Sequence, residues 1–482
     1  MATIPGCEVF CGLAPERRPL PRTCALLFEL ERLIYGLKGD SAIDPLGALT
    51  DVAANTLGGS ETHFDIVVDF AGSGGALPAC DRVLTLCFNA IPGEIGLIAA
   101  LMSQQPLLVE VHDTARRGEP WTARPATVDR DIIARSVDNV LSCTARLIVK
   151  VINAPAPFAS RSGGQPCPRA APASAPVAFA AALHATGAVA RKTIRLIGML
   201  AKGGKSWAVA WRFDHSLTLL DKQSAVFSKM ADDGCRYYAD PFPFRHNGRT
   251  FVFVEEFPYA TARGCISVIE LDEHGGALLS HVVLEEPYHL SYPFVFEHEG
   301  EIWMIPESGE GKGVYLYRAE PFPYKWRREA CLVSDIEAYD STLLRHDGRF
   351  WLFVCEREWK SSSWDTLSLF HAESLTGQWR PHSQNPVLLD ATLSRPAGAI
   401  FNHNGHDLRP VQDCSRQYGG AVVLCSLDAL GQDAFAQTVV GQIHCGPHGC
   451  HTYNACAGFE VMDVFGPTRR LRDVTAFYTP AR

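Results

Sequence analysis

The sequence is short of several things. Only 20% of its 482 residues are charged, and 44 Lys and Arg are outnumbered by 53 Asp and Glu, for a formal charge of -9. Sequence-independent nucleic-acid binding needs a basic face, so that class is excluded. No apolar run reaches the ~18 residues of a spanning helix, so no membrane span is expected. The N-terminal MATIPGCEVFCGLAPERRPLPR carries no apolar core behind a basic start, and the expectation is a cytoplasmic protein. There is no CxxC pair among the 16 cysteines, which read as reduced, small, buried residues. AGSGGA at Ala71–Ala76 follows a strand but lacks the Gly-Lys-Ser/Thr ending of a phosphate loop, so it reads as a turn. No cofactor is expected.

What is present divides the chain. Residues 154–178, APAPFASRSGGQPCPRAAPASAPVA, are rich in Ala, Pro, Ser and Gly and lack both helical and strand periodicity, so they read as a linker. Before it, residues 1–153 alternate helix signals (Cys24–Gly36, Asp129–Asn153) with strand signals (His63–Phe70, Leu84–Ala90, Pro106–Val111), the pattern of a small α/β domain. After it, residues 179–482 open with a helix, Phe179–Lys202, and turn all-β from Trp207–Arg212 onward.

The all-β part repeats. YADPFPFRHNGRTFVFVEEF, SYPFVFEHEGEIWMIPES, YDSTLLRHDGRFWLFVCERE, SRPAGAIFNHNGHDLRPVQDCS and the fainter HTYNACAGFEVMDVF align on Asp240, Tyr292, Asp340, Arg395 and His451, at steps of 52, 48, 55 and 56 residues. A period of about 50 with four strands per unit predicts a β-propeller of five blades. The strand near Trp207 would complete the last blade beside the C-terminus, closing the ring. The fold class expected is therefore multidomain: a small α/β N-terminal domain followed by an all-β five-bladed β-propeller.

Equivalent positions of a propeller converge on its axis. That arithmetic places Asp240, Tyr292, Asp340, Arg395 and His451 around one hub. Glu255, Glu307, Glu356 and Gln412 form a second ring at offsets of 15 to 17, flanked by Glu256 and Asp413. Carboxylates crowded in a dry pocket have raised proton affinities, and a pair with separated affinities is what glycosidic cleavage requires. Tyr237, Tyr238, Phe242, Tyr292, Trp303 and Trp351 would offer platforms to sugar rings, and His289 points into the pocket or supports the strand. The plainer alternative is that Asp240 caps a turn before Pro241 and that the second-ring acids pair with Arg357 or Arg395. The run HCGPHGCHTYNAC holds His444, Cys445, His448, Cys450, His451 and Cys456, whose spacing matches no zinc motif, and no metal is expected.

Residues 207–464 resemble the N-terminal propeller domain of the plant glucosamine inositolphosphorylceramide transferases and its bacterial relatives, through ADPFPF, FVFVEEF, HLSYPFVFE, MIPES, LYRAEPFP, DGRFWLF, GQWRPHSQNPV and RPVQDCSRQYG. That family is in turn similar to five-bladed propeller glycosidases such as arabinanases and β-fructosidases. Those glycosidases carry an Asp opening blade one, an Asp opening a later blade, and an acid Glu further on. The resemblance matches Asp240 and Asp340 to the first two, while Arg395 stands where the Glu is expected. The plant proteins also carry a separate glycosyltransferase domain, which this chain stops short of. HFDIVVDFAG and LCFNAIPGE resemble a formyltransferase-like domain in which Asn89 is followed by Ala90 and Ile91 instead of the expected Asn-x-His, which implies a degenerate copy.

The expected function is a carbohydrate-active propeller that cleaves or transfers a glycosyl group. Asp240 is its base or nucleophile, Asp340 the tuning residue, and Glu307 or Glu356 the acid. Glu255, Glu256, Tyr292, His289, Arg395, Gln412, Asp413 and His451 contact a glycan or glycoconjugate substrate. The rival is a non-catalytic glycan-binding scaffold that serves a partner glycosyltransferase. A weaker rival is formyl transfer to an amino sugar.

Overall fold

A computed structural model describes residues 22–35, 63–70, 77–103, 105–114, 119–153, 177–202, 206–214, 218–272, 275–467 and 473–481. The Ala71–Ala76 turn and all but the last two residues of the 154–178 linker lie outside the described residues. The chain divides into two compact units. One holds the N-terminal elements with Gln165–Leu196 and Trp359–Ser362, and the other holds Ile197–Glu358 and Ser363–Arg482.

The first unit is a small α/β body. Its strands are Phe64–Asp69, Cys80–Phe88, Ile91–Pro92, Val109–Asp113 and Trp121–Ala123, and its helices are Arg22–Tyr35, Gly93–Met102, Ile133–Asn153 and, as far as Leu196, Val177–Lys202. Phe64–Asp69 runs parallel to Cys80–Phe88, which pairs antiparallel with Val109–Asp113. Ile133–Asn153 is helical because its apolar side chains recur at helical spacing, and Val137, Val140, Cys143, Leu147 and Val151 are buried together. Asn89 holds a left-handed turn at φ 50°, and its amide oxygen accepts the Leu108 N–H at 2.8 Å. The Asn89 side chain is thus committed to the backbone of the chain entering Val109–Asp113.

The second unit is the five-bladed propeller. Blade one runs Arg236–His246, Arg249–Pro258, Cys265–Leu271, Ala277–Leu284, and blade two runs Ser291–His298, Glu301–Glu307, Gly313–Ala319, Trp326–Ser334. Blade three is Glu337–His346, Arg349–Arg357 and Thr366–Ala372, with a split outer edge of Arg380–Pro381 and Leu388–Leu389. Blade four is Phe401–His403, His406–Gln412, Val422–Leu430, Phe435–His444. Blade five takes Tyr453–Cys456 and Phe459–Gly466 from late in the chain and adds Ser206–Phe213 and Ser224–Lys229 from before blade one. Asp473–Pro480 then pairs with both Phe435–His444 and Ser224–Lys229, covering two edges that would otherwise be open. The blades pack through large aromatic side chains. Phe251 and Phe253 of blade one meet Phe322 and Trp326 of blade two edge-on at 5.2 and 5.7 Å.

The innermost strands of blades one to three share one irregularity. Ala239 pairs with Glu255 and Phe242 with Phe253, so three steps on the inner strand oppose two on its partner, a β-bulge. The same slip separates Ser291 from Phe294 and Tyr339 from Thr342. The residue after each slip begins, Asp240, Tyr292 or Asp340, has φ of 49°, 44° and 49°. Pro241 and Pro293 follow two of them and have no N–H for the ladder, which suits a bulge. Left-handed backbone on three non-glycine residues is unfavourable, and it recurs where their side chains turn toward the axis.

Candidate functional site at the propeller hub

The hub has two halves. In the first, Asp240 accepts the Thr452 hydroxyl on Oδ1 at 2.6 Å and the Tyr292 N–H on Oδ2 at 3.2 Å. His451 Nδ1 lies 3.6 Å from Asp240 Oδ1 and is hydrogen-bonded to Asp463 Oδ2. Asp463 also accepts the N–H groups of Asp240, His451 and Thr452 at 3.1, 2.9 and 3.1 Å. Burial raises the Asp240 carboxyl to about 6 despite the imidazole beside it. Burial opposes protonation of His451, but Asp463 and then Asp240 outweigh it and raise the imidazole to about 9.

In the second half, Arg395 reaches across the axis from blade four. Its Nε donates to Asp340 Oδ2 at 2.6 Å and one terminal nitrogen to Glu307 Oε2 at 3.1 Å. The other terminal nitrogen donates to the Ser363 carbonyl and hydroxyl at 3.0 and 3.1 Å. Gln412 Nε2 adds a second donor to Asp340 at 2.7 Å. Burial, then the Asp340 charge, raises the Glu307 carboxyl well above its usual range, although Arg395 pulls the other way. Tyr292 spans the hub, sharing a 2.8 Å hydrogen bond with Thr342 and accepting the Gly398 N–H at 2.7 Å.

Glu255 stands at the edge of the first half. Tyr237 donates to it at 3.4 Å, and His289 Nε2 lies 3.4 Å away. Burial and the Asp240 charge raise its carboxyl. The Gly264 N–H donates to His289 Nδ1 at 3.0 Å, which leaves the imidazole proton on Nε2, toward Glu255. A Cβ at Gly264 would stand 2.6 Å from that ring, so the loop passes only as glycine.

The predicted rings need corrections. Glu356 is one residue out of phase: Cys355 pairs with Tyr339 as Glu255 pairs with Ala239, whereas Glu356 pairs with Ala338. Glu356 therefore accepts from Ser368 at 2.6 Å, just as Glu256, held by Arg236, accepts from Ser267 at 2.7 Å. Alternation of side chains along a strand sends both away from the position that Glu255 occupies. Asp413 caps its own loop by accepting the Ser415 N–H at 3.0 Å. Tyr238, Phe242 and Trp351 are core residues and Trp303 packs against the core, so none is a sugar platform. Arg357 pairs with Glu337, while Arg395 is the arginine that takes the acids. Of the Cys/His run, His444 stacks on Phe477, and Cys445 and Cys450 are buried. Among the described residues, one group of potential metal-ligating side chains converges, Asp240, His451 and Asp463, with their ligand atoms within 4.8 Å of one another. A cation there would have to displace the imidazole proton that already links the two acids.

Residues 205–460 match the family described as glucosamine inositolphosphorylceramide transferase 1, N-terminal. The chain belongs to this family. A glucosamine inositolphosphorylceramide transferase 1 from Oryza sativa subsp. japonica is 36% identical over 208 residues, which are 42% of this chain and 28% of the relative. The Arabidopsis thaliana protein of that name is 30% identical over 208 residues, covering 42% of this chain and 27% of its own length. The chain thus spans little more than a quarter of the curated relatives it matches. Among solved structures, a family 117 glycoside hydrolase from Zobellia galactanivorans is similar at TM-score 0.34 and 10% identity, over 56% of this chain and 90% of that one. An exo-1,5-alpha-L-arabinanase from a bovine ruminal metagenomic library is similar at TM-score 0.34 and 12% identity, over 52% and 94%.

The hub of this family member contains residues that repeat arithmetic missed. Asp463 is the second-ring residue of blade five. The hairpin there is shorter, turning at Ala457-Gly458, so an offset of 15 from His451 overshoots it. Trp207 stacks on His451 with centroids 3.9 Å apart, and Tyr418 meets the same imidazole edge-on at 5.1 Å. Trp364 lies 5.4 Å from Tyr418, whose ring is also 5.1 Å from the Arg395 guanidinium. Gly419 lets Tyr418 and Trp207 close up, because a Cβ there would come within 2.7 Å of Trp207. The Gly419-Gly420 pair marks a turn here, but nothing in the sequence shows which blade Tyr418 would lean on.

Proposed function

We propose that the hub binds a glycan through an aromatic collar over an acidic floor, and that the propeller acts as a glycan-recognition module. One observation carries the reading: the half-buried rings of Tyr237, Tyr339, Tyr418, Trp207 and Trp364 border the hub, while Asp240 and Asp340 beneath them are already satisfied by hydrogen bonds. Flat aromatic faces stack on sugar rings, and the buried carboxyls of Glu255 and Glu307, raised by desolvation, offer hydrogen bonds to sugar hydroxyls. The family description supports a glycoconjugate ligand, and its presentation to a partner glycosyltransferase is part of the same proposal. The division into residues 1–153, 154–178 and 179–482 belongs to the same proposal, with 179–482 as the binding part. The test is calorimetric titration with xylo-, arabino- and chito-oligosaccharides, followed by product analysis. Saturable binding that Trp207→Ala and Tyr418→Ala abolish, with unchanged thermal stability and no product, supports the reading. Binding that both variants retain overturns it.

A second reading, glycosyl cleavage or transfer, is favoured by Glu307. Burial raises its carboxyl well above the usual range, and it lies next to an Asp340 held by Arg395, so two carboxyl groups stand in unlike settings. Asp240 would be the base or nucleophile and would first have to release Thr452. Product formation that Glu307→Gln abolishes would establish this reading over the first.

A further inference from the structure

Arg409 is 1% exposed on the second strand of blade four, and its partners are all uncharged. One terminal nitrogen donates to the Leu393 carbonyl and to Gln437 Oε1, both at 3.0 Å, and the other donates to the Ser394 carbonyl at 2.6 Å. Its Nε makes no hydrogen bond, and the guanidinium lies 5.4 Å from the Phe353 ring centre. A buried guanidinium without a carboxylate is costly, and an apolar side chain of like volume would fill the space without that cost. The carbonyls it holds belong to the two residues before Arg395. The rest of that turn closes on itself: Asp390 O accepts the N–H groups of Leu393 and Ser394, and Ser394 Oγ donates to the Asp365 carbonyl.

We infer that Arg409 is the positioning residue for Arg395, its fork fixing the Leu393 and Ser394 carbonyls and thereby the direction in which Arg395 crosses the hub to Asp340 and Glu307. The peptide unit is planar, so fixing the Ser394 carbonyl fixes the plane that carries the Arg395 nitrogen and Cα. Arg395 then meets Asp340, Glu307 and Ser363 at once, which a tilted peptide plane would not allow. Gln437 completes the support by accepting from Arg409 and donating to the Leu393 carbonyl at 3.4 Å. The inference concerns hub geometry and does not rest on glycan binding, so the two readings fail separately.

The test needs no ligand. Urea unfolding midpoints of the full chain are compared at pH 5 and pH 9 for wild type, Arg395→Gln, Arg409→Lys, Arg409→Gln and Arg395→Gln/Arg409→Gln. Losing Arg395 leaves Asp340 and Glu307 without a counter-charge. Burial already raises the Glu307 carboxyl and Arg395 pulls it down, so without Arg395 its folded proton affinity rises further and stability is lost as pH climbs above its unfolded value. The fall in midpoint from pH 5 to pH 9 should be about twice the wild-type fall in Arg395→Gln and in Arg409→Gln, with no further steepening in the double variant. Arg409→Lys keeps the buried charge and loses the fork, so a steepened fall there comes from geometry and not from lost charge. If Arg409→Gln fails to fold, Arg409→Lys alone decides. A wild-type pH slope in Arg409→Lys, or slopes that add in the double variant, would overturn the inference.

Discussion

The two bulged aspartates of the hub, Asp240 and Asp340, share one backbone setting and are answered by different cations. Each sits at φ 49° in an inner strand with an identical slip of register. Asp240 faces His451, an imidazole raised to about 9 between two acids. Asp340 faces Arg395, whose guanidinium keeps its charge at any pH the fold survives. One half of the hub can therefore change charge with pH through its cation, and the other cannot. Symmetry of the repeat places the acids, and the partner arriving from another blade decides how each behaves.

Removing the permanent cation should have the largest effect. Arg395→Met strands Asp340 and Glu307 in a dry site, and loss of one partner of a buried ion pair costs roughly 3–5 kcal/mol. Urea unfolding at pH 7 measures it. A cost under about 1 kcal/mol, the level of an exposed pair, would break the comparison.

His451→Gln sharpens it through pH. The folded imidazole is raised from 6.5 to about 9, so its stabilisation is complete below about 6.5 and is lost as pH rises through about 9. The wild type minus His451→Gln difference should shrink by roughly 3 kcal/mol across that window, because each tenfold gain in proton affinity is worth about 1.4 kcal/mol. A flat difference would show that Asp463 and Asp240 do not charge His451.

Tyr292→Phe acts between the halves. It removes the hydroxyl that accepts the Gly398 N–H and meets Thr342, leaving a buried N–H without a partner, at about 1–3 kcal/mol in thermal unfolding. Glu356→Gln should cost least, under about 1 kcal/mol, because its Ser368 bond lies outside the hub and survives as a neutral one. If Glu356→Gln alters oligosaccharide binding as strongly as Glu307→Gln does, the phase correction is wrong.

Legibility in the sequence varied with the physical origin of each feature. The propeller was readable because the blades repeat the same alternation, a two-residue turn ending in Gly and an aromatic-rich strand. The closing role of the Trp207 strand followed from the need to cover an edge, and Ser206–Phe213 does pair with Phe459–Gly466. The first ring was readable because its members open repeat units of similar length, at steps of 52, 48, 55 and 56 residues. The second ring was misread at Glu356, where a one-residue phase error reverses a strand side chain. It was missed at Asp463, where the hairpin is short. Trp207 was recognised as a strand residue and not as the ring that covers His451, because stacking partners come from opposite ends of the second unit.

Local periodicity, turn chemistry and the fifty-residue repeat are properties of neighbouring residues, so the order of residues alone dictates the blades and the inward turn of Asp240, Asp340 and Arg395. Which cation meets which acid depends on contacts between residues far apart in the chain, as for Asp240 and His451. Burial then sets their proton affinities, because desolvation depends on everything packed around a charge, and that exists only once the ring has closed.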